Sequence, residues 1–339
     1  MPRLRRSTTA RQHAAVGRAC EAWPTDLGEA LARYVLRQGV LHLVARGWHD
    51  RAQARLADLD FFGAYLVWCY EEGFDDFTPA LRLWRLLGDE TAGARYEAAA
   101  AAYQPSTGTG LAGLRRVVEF VRDADWKDAM VPVAEAALQA HTQRLGANHA
   151  ETAACAVELG LALKNRNQPA EAQQVIAAAL AVQRRELHPD DPALYVTVNS
   201  LASTEAACGH FAVSQTLYEE ALAQRTRLLG PEHPKTLVSL ASLAYLFTKQ
   251  GLHQTAAPLH QQVVDKRTRA LGPDHPKTLT ACVNLGRALT ELGRFAEAEP
   301  HLVRAVERRR ALLGAAHART RNAERRLQAC RDGLAAEAQ

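Results

Sequence analysis

The stretch LGPEHPKTL, Leu229–Leu237, recurs 42 residues later as LGPDHPKTL, Leu271–Leu279. Weaker copies begin at Leu145, Leu187 and Leu313, so the spacing is 42 residues each time. A fixed period of this size is typical of stacked repeat proteins, in which each repeat packs on its neighbours. The question of function therefore becomes which surface the stack presents, and to what.

Each 42-residue unit is predicted to contain two helices. In one unit a helical face is formed by apolar residues three and four positions apart, namely Leu237, Leu240, Leu243, Ala244 and Phe247. The turn between the two helices is marked by a column of residues that tolerate left-handed backbone, namely Asp125, Asn167, Gly209, Gly251 and Gly293. A second helix is expected from about His253 to Leu271.

Small residues mark where the two helices of a unit are expected to touch. One such column consists of Gly160, Ala202, Ala244 and Gly286. Two more columns of mostly small residues follow it within each unit. Small side chains let antiparallel helices approach to about 8–10 Å, so these columns predict tightly paired helices.

The spacing of these columns resembles that of the tetratricopeptide repeat, which is normally about 34 residues long. Here a loop of about eight residues is added. With that loop, the repeated string is similar to the kinesin light chain type of this repeat, over about Leu111 to Leu334. The resemblance implies an all-α fold, a right-handed solenoid over residues 104–334. Units would start near residues 104, 146, 188, 230 and 272, and a helix over 318–334 would cap the stack.

Two other architectures share this period. A propeller blade would need four short alternating strands, and the sequence shows none. HEAT or armadillo helices would not explain the columns of small residues. The tetratricopeptide interpretation is therefore favoured.

A column of histidines invites a metal-site interpretation. His149, His233, His275 and His317 share one position, and Asp191 replaces histidine in the remaining unit. Equivalent positions in successive repeats lie too far apart for bonds of about 2 Å to one zinc ion. We therefore expect the His-Pro pairs to close the loop between repeats, with the proline in the first turn of the next helix.

Residues 1–103 lack the repeat and are predicted to form a separate helical domain. Its stretch from Tyr34 to Leu66 resembles the helical arm of STAND (NB-ARC/NACHT-type) signalling ATPases, in which the arm joins the nucleotide switch to a sensor made of repeats. No Gly-x-x-x-x-Gly-Lys-Ser/Thr motif occurs in the chain, so nothing is expected to cradle phosphates. The linker Gln104–Gly110 is expected to end this arm-like domain. The resemblance implies an arm and sensor without its ATPase, which would make the chain a fragment, the product of a decayed gene, or one half of a split system whose ATPase is a separate partner.

Composition excludes several classes. The net charge of +4 over 339 residues is small for a nucleic-acid-binding protein. The start of the chain, Met1–Gln12, is basic, but no apolar run that would make it a secretory signal follows. The six cysteines include no Cys-x-x-Cys pair, which indicates reduced thiols in a cytoplasmic protein. No run of 18 apolar residues predicts a membrane span.

No sequence motif predicts an enzyme. The chain has no Gly-x-Ser-x-Gly and no His-Glu-x-x-His. Cys69 stands in an apolar stretch, which favours a buried thiol over a nucleophile. We therefore expect a non-catalytic protein without a metal or cofactor.

A partner is expected on the concave face that helices A, the first of each pair, would line. Kinesin light chains usually carry an Asn-Asn pair there, but in this chain the pair is broken up, which argues against a kinesin-type cargo peptide. Asn199, Ser242 and Asn284 remain as candidate contacts for a peptide or partner helix. The alternative is that they are ordinary solvated polar positions.

The last repeat and cap are rich in arginine. Residues 294–331 contain ten arginines, and the candidate basic patch consists of Arg308, Arg309, Arg310, Arg321 and Arg325. Such a patch could serve an acidic protein or a nucleic acid. The alternative is a capping repeat kept soluble by charge, with salt bridges between helical turns.

These observations together predict a protein–protein interaction scaffold or ligand sensor that binds a protein or peptide partner. A module that associates with nucleic acid through its arginine-rich end is the alternative function. The sequence does not identify the partner, because binding specificity resides in a few surface positions.

Overall fold

The computed structural model of the chain describes residues 29–71, 80, 83, 84, 87, 91–103, 110–315 and 317–337. These residues form helices and connecting loops, and none of them belongs to a strand. The basic start Met1–Gln12 and residues 104–109 of the predicted linker lie outside the described residues. None of the described helices is long and apolar enough to cross a membrane.

The chain divides into two compact units, unit 1 (residues 1–186) and unit 2 (residues 187–339). The helices of unit 1 are α1 (Glu29–Ala45), α2 (His49–Ala57), α3 (Leu59–Glu71), α4 (Ala92–Ala101), α5 (Leu111–Asp123), α6 (Lys127–Leu145), α7 (Ala150–Asn165) and α8 (Pro169–Glu186). The helices of unit 2 are α9 (Leu194–Ala207), α10 (Phe211–Leu229), α11 (Pro234–Lys249), α12 (His253–Leu271), α13 (Pro276–Glu291), α14 (Phe295–Leu313) and α15 (Ala318–Glu337).

Unit 1 joins the predicted arm-like segment to the first repeats through one hydrophobic core, which runs from Val35 to Ala172. Aromatic rings fill its centre, and the ring centroids of Phe62 and Phe120 are 4.9 Å apart. Helices α3 and α5 approach so closely at Gly63 and Gly113 that a Cβ on either glycine would lie 2.7 Å from the other's backbone. Packing therefore divides the chain at residues 186 and 187, whereas the predicted division by repeat content was at 103 and 104.

The columns of small residues lie between paired helices, as predicted. Gly160, Ala202, Ala244 and Gly286 are all buried. A Cβ on Gly160 would lie 2.4 Å from the Ile176 side chain, and one on Gly286 would lie 2.5 Å from Leu302. Where the column holds alanine instead of glycine, the residue 16 positions later has a ring in its side chain, as in Tyr218 and His260. Each helix pair thus matches a small residue to the side chain that faces it.

The predicted turn column is confirmed by backbone conformation. All five of its members have positive φ: Asp125 (58°), Asn167 (64°), Gly209 (86°), Gly251 (75°) and Gly293 (74°). This left-handed conformation ends helix A and redirects the chain into helix B, the second helix of each pair.

The histidine column caps helices. Nδ1 of His149, His233, His275 and His317 each accepts a hydrogen bond of 3.1 Å from the backbone N–H two residues later. Oδ1 of Asp191 accepts the equivalent bond at 2.8 Å. Pro234 and Pro276 stand in the first turn of α11 and α13, where a missing N–H costs nothing. The predicted structural role of this column is therefore confirmed.

The terminal helix α15 has the sequence expected of a cap. Gln328 stands in the column of small residues and is exposed, and it donates a hydrogen bond to Asp332. On the opposite side, a Cβ on Gly333 would lie 2.3 Å from the Phe295 ring. Helix α15 therefore packs closely on α14 while its other face carries polar groups.

Candidate functional site

The candidate site is a surface of unit 2 formed by its helices A, which are α9, α11 and α13. Each of these helices has a stripe of exposed and half-buried residues at intervals of three and four. We call this surface the unit 2 face, and it consists of Val196, Asn199, Ser203, Val238, Ala241, Ser242, Tyr245, Thr280, Asn284 and Arg287.

Asn199 is held by a buried polar chain. The Ser239 hydroxyl donates to Asn199 Oδ1 at 3.1 Å, and Arg225 Nη1 donates to Ser239 Oγ at 2.7 Å. Arg225 is 3% exposed, and desolvation lowers its pKa to about 10, so it stays charged at neutral pH. Asn199 is half-buried, and its NH2 group has no hydrogen-bond partner among the described residues.

Ser242 belongs to a second polar contact in the same place. Tyr218, a buried residue of α10, lies beside Ser203 and Ser242. Burial raises the pKa of Tyr218, and the two serine side chains partly oppose that rise. The structure therefore brings Asn199 and Ser242 onto adjoining helices, α9 and α11, whose polar groups connect to α10 beneath them.

Asn284 is half-buried on α13, and no hydrogen bond within the described residues joins it to Asn199 or Ser242. Its neighbour on the face is Arg287, whose Nε is buried without a partner there. Beneath them, the Nε2 atom of His260 lies 3.0 Å from the Thr248 hydroxyl. Burial, together with Arg287 and Arg267, lowers the pKa of His260 to about 4, so this histidine is neutral at physiological pH.

The equivalent surface of unit 1, formed by α5 and α7, carries charges that are paired. Arg122 forms an ion pair with Glu158, and Arg115 Nη1 lies 3.1 Å from Glu151 Oε2. Arg116 also pairs with Glu119, at 2.8 Å. Burial raises the pKa of Glu158, although Arg122 opposes that shift.

The predicted basic patch separates into three groups. Arg308 lies 3.1 Å from Asp274, and Arg310 lies 2.7 Å from Glu324. Arg321 and Arg325 are exposed and have no ion-pair partner within the described residues.

Arg309 must be withdrawn from the patch, because it is 6% exposed. It donates to the carbonyl of Arg319 at 2.9 Å and to the Thr280 hydroxyl at 3.0 Å. Its guanidinium therefore serves packing between α14 and α15 and is not available to a ligand.

Arg309 belongs to a column that sequence reasoning missed. Arg225, Arg267 and Arg309 are 42 residues apart and buried, and each donates to the carbonyl ten residues later, at 2.9–3.0 Å. The recurrence of arginine at one repeat position was a visible signal for this column. Ser239 gave no such signal, because the same position holds Cys155, Thr197 and Ala281 in the other repeats.

The described residues contain no group of three or more His, Cys, Asp or Glu side chains that could hold a metal ion. The Cys69 thiol is buried, and burial raises the pKa of the Cys155 thiol to about 12. A thiol with a raised pKa is a poor nucleophile at neutral pH.

Comparison with known families agrees with this architecture. A family model described as tetratricopeptide repeat matches residues 193–267 and 243–311, and a second model with the same description matches residues 152–193. Residues 152–311 of the chain therefore consist of tetratricopeptide repeats. Tetratricopeptide repeats form interaction scaffolds, which are generally non-enzymatic. No curated protein matches the chain significantly.

Solved structures are similar at the level of fold. The nearly identical TPR-like repeats of a kinesin light chain candidate from Podosopora anserina are 24% identical, with a TM-score of 0.50 over 60% of this chain and 95% of that one. BtubC (BKLC) from P. vanneervenii is 17% identical, with a TM-score of 0.45 over 67% and 90% of the two chains. A Rap protein complexed with Competence and Sporulation Factor is 15% identical, with a TM-score of 0.47 over 96% and 97%.

The predicted resemblance to kinesin light chain repeats is therefore confirmed for the fold. The predicted resemblance of the N-terminal segment to the STAND arm stays a prediction, as does a separate ATPase partner.

Proposed function

We propose that the protein is a non-catalytic scaffold that binds an extended peptide segment of a partner protein across the unit 2 face. The observation that carries this proposal is the composition of that face. Three large apolar side chains stand exposed on it, Val196 (40%), Val238 (39%) and Tyr245 (43%). The uncharged groups of Asn199, Ser242 and Asn284 lie among them.

This combination suits an extended peptide for a physical reason. An extended main chain presents carbonyl oxygens and N–H groups that amide and hydroxyl side chains can satisfy. Its side chains can cover the exposed valines and Tyr245, which removes apolar surface from water at about 25 cal/mol per Å². Tyrosine is also common among the residues that dominate binding energy at interfaces.

The arginine-rich end carries too little unpaired charge to favour nucleic-acid binding as the function. Within the predicted patch only Arg321 and Arg325 remain as exposed cations without an ion-pair partner among the described residues. Nucleic-acid binding normally needs more unpaired basic charge on one surface.

The test uses linear peptides selected on the full chain from a random 12-residue library. The dissociation constant of the tightest peptide is then measured by fluorescence anisotropy on variants. Tyr245→Ser and Val238→Ser should each weaken binding by about 10-fold, the loss typical of central interface residues.

Val213→Ser is the matched control, because Val213 is 51% exposed on helix B and lies outside the unit 2 face. It should change the dissociation constant by less than about 2-fold. Equal losses from Val213→Ser and Tyr245→Ser, or failure to select any peptide, would overturn the proposed function.

A further inference from the structure

We propose that Arg225 and Ser239 are positioning residues that turn the NH2 group of Asn199 toward the unit 2 face, where it donates to main-chain carbonyl oxygens of the bound peptide. The proposal rests on the proposed function for the identity of the acceptor. The orientation of Asn199 stands on geometry alone.

The three side chains form a continuous hydrogen-bonded chain from the interior to the face. Arg225 is 3% exposed and Ser239 is 0% exposed, while Asn199 is half-buried. Arg225 Nη1 lies 2.7 Å from Ser239 Oγ and 3.0 Å from the Lys235 carbonyl. Ser239 Oγ lies 3.1 Å from Asn199 Oδ1.

The two hydrogen bonds of Ser239 have opposite directions. A guanidinium can only donate, so Ser239 Oγ accepts from Arg225. The hydroxyl proton of Ser239 points at Asn199, where Oδ1 accepts it at 3.1 Å. Because the amide of asparagine has one oxygen and one NH2 group, an oxygen that faces Ser239 leaves the NH2 group facing away.

The NH2 group of Asn199 therefore presents two N–H donors that have no partner among the described residues. Holding the amide in one orientation before binding removes part of the entropy cost of ordering it. Uncharged donors in fixed positions select carbonyl acceptors, which every residue of an extended peptide supplies.

The next repeat lacks this hydrogen-bonded chain, so it can be compared with the repeat that has it. Arg267 occupies the column of Arg225 and donates to the Lys277 carbonyl at 2.9 Å. Ala281 stands where Ser239 stands, so no hydroxyl links Arg267 to the face. Asn284, the polar group of that repeat, has no side-chain hydrogen bond within the described residues.

The orientation is tested without a ligand by NMR of the full chain labelled with ¹⁵N only at asparagine. The chain contains six asparagines, so six side-chain NH2 pairs appear, and the spectrum of Asn199→Ala identifies the pair of Asn199. Ser239→Ala should shift that pair and leave the pair of Asn284 unchanged. Ser239→Thr, which keeps the hydroxyl, should return the Asn199 NH2 signals to their positions in the native chain.

Two features keep this experiment decisive. Ser239→Ala should fold, because alanine already occupies the same position at Ala281. Arg267→Met removes an equivalent buried arginine and should leave the Asn199 signals unshifted, which separates positioning from general loss of packing. Unchanged Asn199 signals in Ser239→Ala would overturn the proposal.

The role in binding is tested with the selected 12-residue peptide. Asn199→Ala should weaken binding by about 10-fold and Ser239→Ala by about 3- to 10-fold, values typical of one lost hydrogen bond. The double variant should bind no more weakly than Asn199→Ala, because Ser239 acts through Asn199. Ser239→Thr should bind like the native chain.

The outcomes distinguish this proposal from the proposed function. If Tyr245→Ser weakens peptide binding but the losses from Asn199→Ala and Ser239→Ala simply add, the proposed function stands and the positioning role is wrong. If no peptide is selected, the proposed function fails, and the NMR shifts still decide the orientation of Asn199.

Discussion

The faces that helices A present in the two units differ in chemistry although the underlying repeats are built alike. In unit 1 the face is occupied by ion pairs, chiefly Arg122 with Glu158 and Arg115 with Glu151. In unit 2 the face holds the uncharged polar groups of Asn199, Ser242 and Asn284 together with exposed valines and Tyr245, and Arg287 is the one charged residue of this set. Charged side chains that already form ion pairs bind a partner less readily than polar groups that still lack a hydrogen-bond partner.

The helix packing and the loop caps, unlike the faces, are the same in the two units. Helix pairing depends on Gly160 in unit 1 and Gly286 in unit 2. The loop cap is His149 in one and His275 in the other. The comparison therefore predicts that scaffold changes have equal effects in the two units, whereas changes to the face do not.

The largest effect is expected from filling the contact between paired helices. Gly160→Ala and Gly286→Ala each place a Cβ within 2.5 Å of a facing side chain, and overpacking of this kind costs about 1–3 kcal/mol. Chemical denaturation of the full chain should show a loss in both variants.

A compensating variant sharpens that measurement. Adding Leu302→His to Gly286→Ala copies the pair Ala244 and His260, and Thr290 stands where Thr248 contacts His260. The double variant should recover part of the lost stability. Recovery of none would mean that the match between small and large residues does not govern pairing.

Introducing the ion pair of unit 1 at the equivalent positions of unit 2 should weaken peptide binding to the unit 2 face. Ala206 and Ser242 lie two repeats after Arg122 and Glu158, so Ala206→Arg with Ser242→Glu recreates that pair. Binding of the selected peptide should fall by about 10-fold, because charges would replace the hydrogen-bonding group.

The stability of this double variant should change by less than about 1 kcal/mol, since a partly exposed ion pair contributes little. The control is the reverse exchange in unit 1, Arg122→Ala with Glu158→Ser, which should leave peptide binding unchanged. Equal binding by both double variants would remove the distinction between the faces.

Acid should weaken the cap that His275 forms on α13. Burial, together with Lys277 and Arg267, lowers the pKa of His275 in the folded chain, so its cap is fully present above the unfolded pKa of about 6.5 and is lost as pH falls through the folded value. His275→Asp places at this position the residue that Asp191 provides in another repeat. On acidification from pH 7 to pH 4.5, this variant should lose about 1 kcal/mol less stability than the native chain.

Unfolding measured at both pH values checks this expectation. At pH 7 the same replacement at His149 should be nearly neutral, because unit 1 uses the same cap. A stability loss on acidification as large in His275→Asp as in the native chain would contradict the role of the cap.

The smallest effect concerns the turns. Asp125 and Asn167 hold positive φ in unit 1, where unit 2 uses glycine. Asn167→Gly should change the free energy of unfolding by less than about 0.5 kcal/mol, because both residues tolerate this backbone. Asn167→Ala is the control and should cost about 1 kcal/mol; equal values for the two variants would show that the turn carries no strain.

Much of the fold could be predicted from the sequence, because repetition makes the packing rules visible. Five residues compatible with positive φ recur at one position, and all five adopt it. The candidate site was harder to predict. Asn199 and Ser242 were found as polar positions on helix A, but Ser239, which donates to Asn199, and Tyr218, which lies beside Ser242, occupy columns that vary between repeats.

The basic patch shows why charge counted along a chain is a weak guide to surface charge. Arg308, Arg309 and Arg310 are consecutive, yet a helix turns each by about 100° from the last. One therefore reaches Asp274, one lies in the interior and one reaches Glu324.

Sequence alone determined that the chain is all-α, that its helices pair at small residues, and where its turns and caps fall, because these features depend on residues a few positions apart that repeat every 42 residues. Only the tertiary structure decided which polar groups are already satisfied. Arg225 reaches Ser239 and Arg122 reaches Glu158 across separate helices, and a hydrogen bond or ion pair exists only where folding brings its two partners together in space.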